Sequence, residues 1–206
     1  MRAFLIFVLS LLIAVGCSAN HGTGLWPGDV PLAPPHAILH MDVDFTPEER
    51  ADQAWAVKMW NKQTNGQATI ELVYDFNTQS VSNLVEHDTL GHNYIIRLES
   101  DMAGAADHPE RLGWMTSGGI YNVWKVPVSG AFVVDRMASH PAEYQVAKKT
   151  YLHEFGHVLG LPHDTAQQAI MFPSVTAHTS ACLKKADLDL FCHVNVCDGR
   201  PIYPCE

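Results

Sequence analysis

The sequence predicts a single α+β domain, on three observations. Short apolar runs with a period of two recur through the first two thirds of the chain, as half-buried strands do. Two longer segments, 47–66 and 141–159, open on helix-start signals and carry apolar residues at three- and four-residue steps. Once a leader of 16 residues is set aside, about 190 residues remain, enough for one substantial core. The sequence contains no repeat and no low-complexity tract.

The leader comes first. Arg2 precedes an unbroken apolar run from Ala3 to Gly16, shorter than the ~20 residues that a permanent membrane helix needs. That is the grammar of an export signal over residues 1–16. The run ends in Ala14-Val15-Gly16-Cys17, which resembles the lipobox of bacterial lipoproteins. The resemblance implies cleavage before Cys17, a lipid on Cys17, and a membrane-anchored protein at the cell surface or outer membrane. A plain secretory signal, giving a secreted protein, is the alternative. Residues 17–35 are rich in Gly and Pro without an apolar period and are expected to form the anchor and a tether. A short latent pro-segment with Asp29 as its acid is a second possibility.

The domain is expected over 36–206. Ala37, Leu39, Met41, Val43 and Phe45 alternate with polar neighbours, predicting a first strand. Thr46-Pro47-Glu48-Glu49 is a capping box with proline at the first helical position. It starts a helix with Ala51, Trp55 and Met59 along one side and Asn65-Gly66 as its stop. Strands follow at Thr69–Phe76 and Tyr94–Glu99, the second with Tyr94, Ile96 and Leu98 sharing a face. A short edge strand is expected near 112–116, and another strand at Ala131–Val134. Pro141 then opens a helix to about Leu159, with Tyr144, Ala147, Tyr151, Phe155 and Val158 as its apolar stripe. A terminal helix is expected near 184–192.

Composition narrows the function. The formal charge is −9, and no Lys/Arg cluster offers a phosphate-binding footprint, so nucleic acid is excluded as a partner. Besides Cys17 there are four cysteines: Cys182, Cys192, Cys197 and Cys205. An even set in an exported chain suggests two disulfides stapling the tail, with three connectivities possible. A four-thiolate zinc site is the rival, although no paired C-x-x-C is present.

The chemistry is concentrated in His153-Glu154-Phe155-Gly156-His157-Val158-Leu159-Gly160-Leu161-Pro162-His163. His153 and His157, four apart on a helix, project from one face and can share a metal ion, while Glu154 can take a proton from a metal-bound water. A bare HExxH arises by chance in a chain of this composition about 3 times in 100; requiring Gly160 and His163 as well lowers that to the order of 1 in 10,000. Gly160 can end the helix in a left-handed conformation and swing His163 back to the ion, and Pro162 supports the break. Three imidazoles and one open position are the donor set of catalytic zinc.

This segment resembles the metzincin clan of zinc endopeptidases. Ala169-Ile170-Met171-Phe172-Pro173 looks like the clan's Met turn, and the order Met171, aromatic, Pro173 is closest to the matrixin branch, the matrix metalloproteinase-like enzymes. The resemblance implies a twisted mixed sheet packed on two long helices, a Met turn and a C-terminal helix. It also implies Zn2+ as cofactor, extended polypeptide substrates, and an apolar preference after the cleaved bond, in a pocket walled by Pro173 to about Thr179, with Leu152 and Tyr151 as further wall residues. The substrate is expected to pair with an edge strand near Gly113 to Thr116. Additional zinc or calcium sites in the family lie in loops where this chain offers His87, Asp88, His92, Asp101, Asp107 and His108, without a matching spacing. Asp164 is a candidate to orient a ligand, or a solvated loop acid; His140 and His178 carry no signal. The competing function is a surface-tethered zinc-binding or adhesion protein without turnover.

Overall fold

The computed structural model describes residues 36–77, 93–99, 101, 112–117, 128–138, 144–195 and 197–205. The expectations placed on 1–35, including the export signal, Cys17 and Asp29, lie outside the described residues. So do His87, Asp88, His92, Asp107, His108 and His140.

Five strands form one mixed sheet: β1 (His36–Asp42), β2 (Thr69–Phe76), β3 (Asn93–Leu98), β4 (Gly113–Ser117) and β5 (Val128–Val133). Their spatial order is β2-β1-β3-β5-β4. All neighbours are parallel except β4, which runs antiparallel to β5 at the edge. Among the described residues no helix is long and apolar enough to cross a membrane.

The first helix, α1 (Pro47–Gln63), begins at the expected box: the Thr46 hydroxyl accepts from the Glu49 N–H at 3.3 Å, and the Thr46 N–H donates to Glu49 Oε2 at 2.7 Å. Glu49 also pairs with Arg97 of β3 at 3.1 Å, which ties the helix start to the sheet. At its end Gly66 donates to Asn61 and Asn65 to Lys62, with Asn65 at φ 55°. This double closure by a left-handed residue is a Schellman motif.

The buried side of α1 differs from the expected Ala51, Trp55, Met59 stripe. Ala51 is exposed and the other two are half-buried, while Asp52, Gln53, Ala56, Trp60 and Gln63 are buried. Gln63 explains why apolarity did not mark the face. Its amide donates to the Leu183 and Tyr203 carbonyls at 3.0 and 2.9 Å and accepts from the Leu183 N–H at 2.9 Å. A buried amide whose two N–H groups and oxygen are all engaged carries little of the cost that burial would otherwise impose.

Strand alternation keeps its period but not always its face. In β3 it is Ile95 that enters the main core, whereas Leu98 packs with Ala131, Val133, Ile96 and Trp114 on the other side of the sheet. Val43 is 39% exposed, because β1 ends at Asp42, where its register against β2 shifts. Phe45 is buried from the turn before α1 instead. The final strand starts at Val128 rather than Ala131, and Val134 opens a short helix, α2 (Val134–Ala138), that the periodicity did not reveal.

The main core lies between the sheet and the helices α1 and α3 (Tyr144–Val158). Phe132 of β5 meets Tyr151 of α3 with ring centroids 4.4 Å apart, and the Trp60 indole N–H donates to the Leu152 carbonyl at 3.0 Å. The C-terminal helix α4 (Lys185–Val194) closes the fold. Cys182 is bonded to Cys205 and Cys192 to Cys197, an arrangement that leaves no thiolate among these four for a zinc site.

Candidate metal centre

Helix α3 puts its large apolar residues Tyr151 and Phe155 into the core, at 1% and 0% exposure. His153 and His157 leave from another face, one turn apart. The helix ends as the sequence requires: Gly160, at φ 85°, donates to His157, and Leu161 donates to Gly156. The same Schellman closure that stopped α1 here turns the chain, and it brings His163 to the other two imidazoles.

The three rings converge. His157 Nε2 lies 3.1 Å from His153 Nε2 and 3.2 Å from His163 Nε2. Two nitrogens bound tetrahedrally to zinc at ordinary bond lengths sit about 3.3 Å apart, so this spacing suits the ion. Protonation reinforces the fit. His153 Nδ1 is 2.6 Å from the Ile170 carbonyl and His157 Nδ1 is 2.7 Å from the Leu161 carbonyl. A carbonyl can only accept, so each Nδ1 carries the hydrogen and each Nε2 presents a lone pair to the common centre. Lone pairs that face one another at this distance repel without a cation between them. Burial, with His157 and His163 close by, also pushes the pKa of His153 well below the ordinary histidine range, keeping it in the neutral form that binds metal. Among the described residues these three are the only group of metal-ligating side chains arranged to hold an ion. Asp101 is exposed and joins no such group.

Glu154 follows the first histidine and is 1% exposed. Asp164 turns out to be a loop-capping acid: its Oδ1 accepts from the Ala166 N–H at 2.8 Å, while its own N–H donates to the Met171 carbonyl at 2.7 Å. His178 is exposed.

The turn at 169–173 lies directly beneath α3. Met171 is fully buried, and a Cβ built on Gly156 would overlap its sulfur. Glycine between the two helical histidines therefore lets the turn approach closely. A residue missed in the sequence, Asp187 on α4, holds this turn. Its carboxylate accepts from the N–H groups of Ile170 (3.1 Å), Met171 (2.9 Å) and Lys184 (2.8 Å). Burial raises its pKa against the pull of those three donors. A relay results, from Asp187 through the Ile170–Met171 peptide, whose N–H donates to the carboxylate and whose carbonyl meets the His153 ring. The only sequence signal was an acid near the start of a helix, and many solvated acids share it. Asp187→Asn retains one acceptor oxygen and turns an amide toward an N–H. It is expected to lower unfolding free energy by about 2 kcal/mol, read from urea denaturation; an unchanged midpoint would contradict the relay.

Tyr151 and Leu152 do not line a pocket wall. Tyr151 is packed on Phe132, and Leu152 is fully buried beside Trp60. Lys149 of α3 reaches the 173–179 segment: its ammonium donates to the Ala177 carbonyl at 3.0 Å and to that of Thr176 at 3.5 Å.

Metalloproteinase-II from Bacteroides fragilis is similar in structure, with a TM-score of 0.49 at 13% identity, over 80% of this chain and 54% of that one. The chain therefore spans about half the length of that protein. None of the curated proteins matches. The sequence profile of the matrixins, Peptidase M10, matches residues 42–192, a stretch that runs from the end of β1 into α4 and contains all three histidines, and the chain accordingly belongs to the matrixin family.

Proposed function

We propose that the chain is a zinc-dependent endopeptidase that hydrolyses internal peptide bonds of extended polypeptides. One observation carries this: three imidazoles whose Nε2 atoms converge at 3.1–3.2 Å, two of them tautomerically fixed by carbonyls, beside a buried glutamate. His153, His157 and His163 would hold the ion. When bound, zinc polarises the scissile carbonyl and acidifies the attacking water. Glu154 takes the proton of that water and returns it to the leaving amide nitrogen. Gly160 directs the third ligand, and Met171, with Pro173 after it, forms the turn that supports the other two from below.

The substrate lies extended along β4, whose position at the sheet edge suits strand addition. The side chain after the cleaved bond enters between α3 and the 173–179 segment. The proposal extends to the amino terminus, where residues 1–16 direct export, Cys17 carries a lipid and 18–35 tether a single domain over 36–206. No nucleic acid is involved.

The test is cleavage of a diverse peptide library by residues 18–206. Dialysis against a chelator is expected to abolish turnover, and one equivalent of zinc per chain to restore it. Turnover that survives full metal removal would refute zinc dependence. One bound zinc without turnover would favour a zinc-binding surface protein.

A further inference from the structure

Lys149 is 6% exposed, and no carboxylate pairs with it among the described residues. An ammonium withdrawn from water costs several kcal/mol unless an anion compensates it, and two carbonyl dipoles compensate only partly. Its neighbour shows the usual solution: Lys148 lies 3.6 Å from Asp52 and over the Trp55 ring at 4.5 Å. Burial accordingly lowers the pKa of Lys149 from the ordinary lysine range.

Its place in the fold says what the missing anion is. Lys149 stands four residues before His153, one turn along the same helix face, about 6 Å along the axis. On one side of this turn of α3 is the edge strand: a Cβ on Gly113 of β4 would come within 3.2 Å of the Thr150 methyl. On the other side is the segment that Lys149 grips, Thr176–Ala177. That turn is therefore the floor between the strand proposed to hold the substrate and the wall opposite. Lys149 also borders a cleft of about 400 Å³ that lies toward α1, lined with it by Trp55, Met59, Lys148 and Ala181. An ammonium has three N–H donors, and the two carbonyls account for two.

We propose that Lys149 is a specificity-determining residue that selects an acidic side chain, Glu or Asp, immediately after the scissile bond, in place of the apolar side chain that the family resemblance implies. The substrate carboxylate takes the third N–H and supplies the counter-charge that the protein lacks. This rests on the endopeptidase reading given above, and the experiment separates the two.

A peptide series varying only that position (Glu, Asp, Gln, Leu, Lys) is assayed for kcat/KM with the zinc-loaded protein. The same peptides are titrated calorimetrically into zinc-loaded Glu154→Ala protein, which reads binding without turnover. Wild type is expected to favour Glu over Leu by about tenfold or more, a buried polar site discriminating strongly against a partner that leaves it unpaired. Lys149→Met is expected to abolish or invert that ratio, and Lys149→Arg to retain it. Turnover with Leu preferred over Glu in wild type overturns the Lys149 assignment and leaves the peptidase intact, whether or not Lys149→Met folds. No turnover, with the Glu peptide still bound more tightly than Leu, supports Lys149 and refutes the peptidase. Equal binding without turnover refutes both.

Discussion

Glu154→Gln is expected to reduce kcat on any cleaved peptide by about 10²- to 10⁴-fold while one zinc per chain is retained. Glutamine has the same shape and can keep the side chain's place in a position that is 1% exposed, but its amide cannot accept the proton of the attacking water. The substitution leaves His153, His157 and His163 untouched, so metal analysis should give the wild-type stoichiometry. Activity within a few fold of wild type would place the general base elsewhere. Loss of zinc would give Glu154 a role in building the site rather than in proton transfer, so both quantities need to be measured on one preparation.

Gly156→Val is expected to destabilise the domain by about 3 kcal/mol, and Gly156→Ala by about 1–2, as overpacking does. Helix propensity alone argues the reverse, since alanine stabilises an interior helical position by about 1 kcal/mol relative to glycine. Packing decides the sign. A Cβ at 156 overlaps the Met171 sulfur and falls 3.0 Å from Trp60 Cζ2. The thioether can shift, but the indole is fully buried and anchored to the Leu152 carbonyl. Because the displaced turn carries the Ile170 carbonyl that fixes His153, zinc affinity should weaken along with stability. Urea midpoints with and without zinc would show both effects, and a stabilised Gly156→Ala would mean that the turn has room the structure does not suggest.

The local parts of the site were legible in the sequence because each follows from neighbours a few residues apart. Helical spacing brings His153 and His157 to one face, and a left-handed Gly160 returns His163 to them. The same holds for the Thr46–Glu49 box and the Asn65 stop. What the sequence hid depends on distant partners. Gln63 is inside only because the backbone at 183 and 203 meets it. Asp187 acts on a turn 16 and 17 residues away, and from spacing alone it is one more acid at a helix start. Lys149 lies off the apolar stripe of its helix and reads as solvated until the 176–177 carbonyls are in place. Tyr151 and Leu152, which the resemblance places at the wall, are turned to the core by the rotation of their helix.

The contacts made by Gln63 also bear on the order of assembly. A helix that begins at residue 47 leaves a buried amide unmatched until residues 183 and 203 arrive, and the Cys182–Cys205 bond then locks that arrival. Contacts of such sequence separation form late, since a long loop must be closed before they return anything. During vectorial synthesis or transfer across a membrane, the three histidines would all have emerged while the first helix still lacked its clasp. Oxidation of the cysteine pair therefore favours completion of the domain, since it holds residues 183 and 203 together for Gln63.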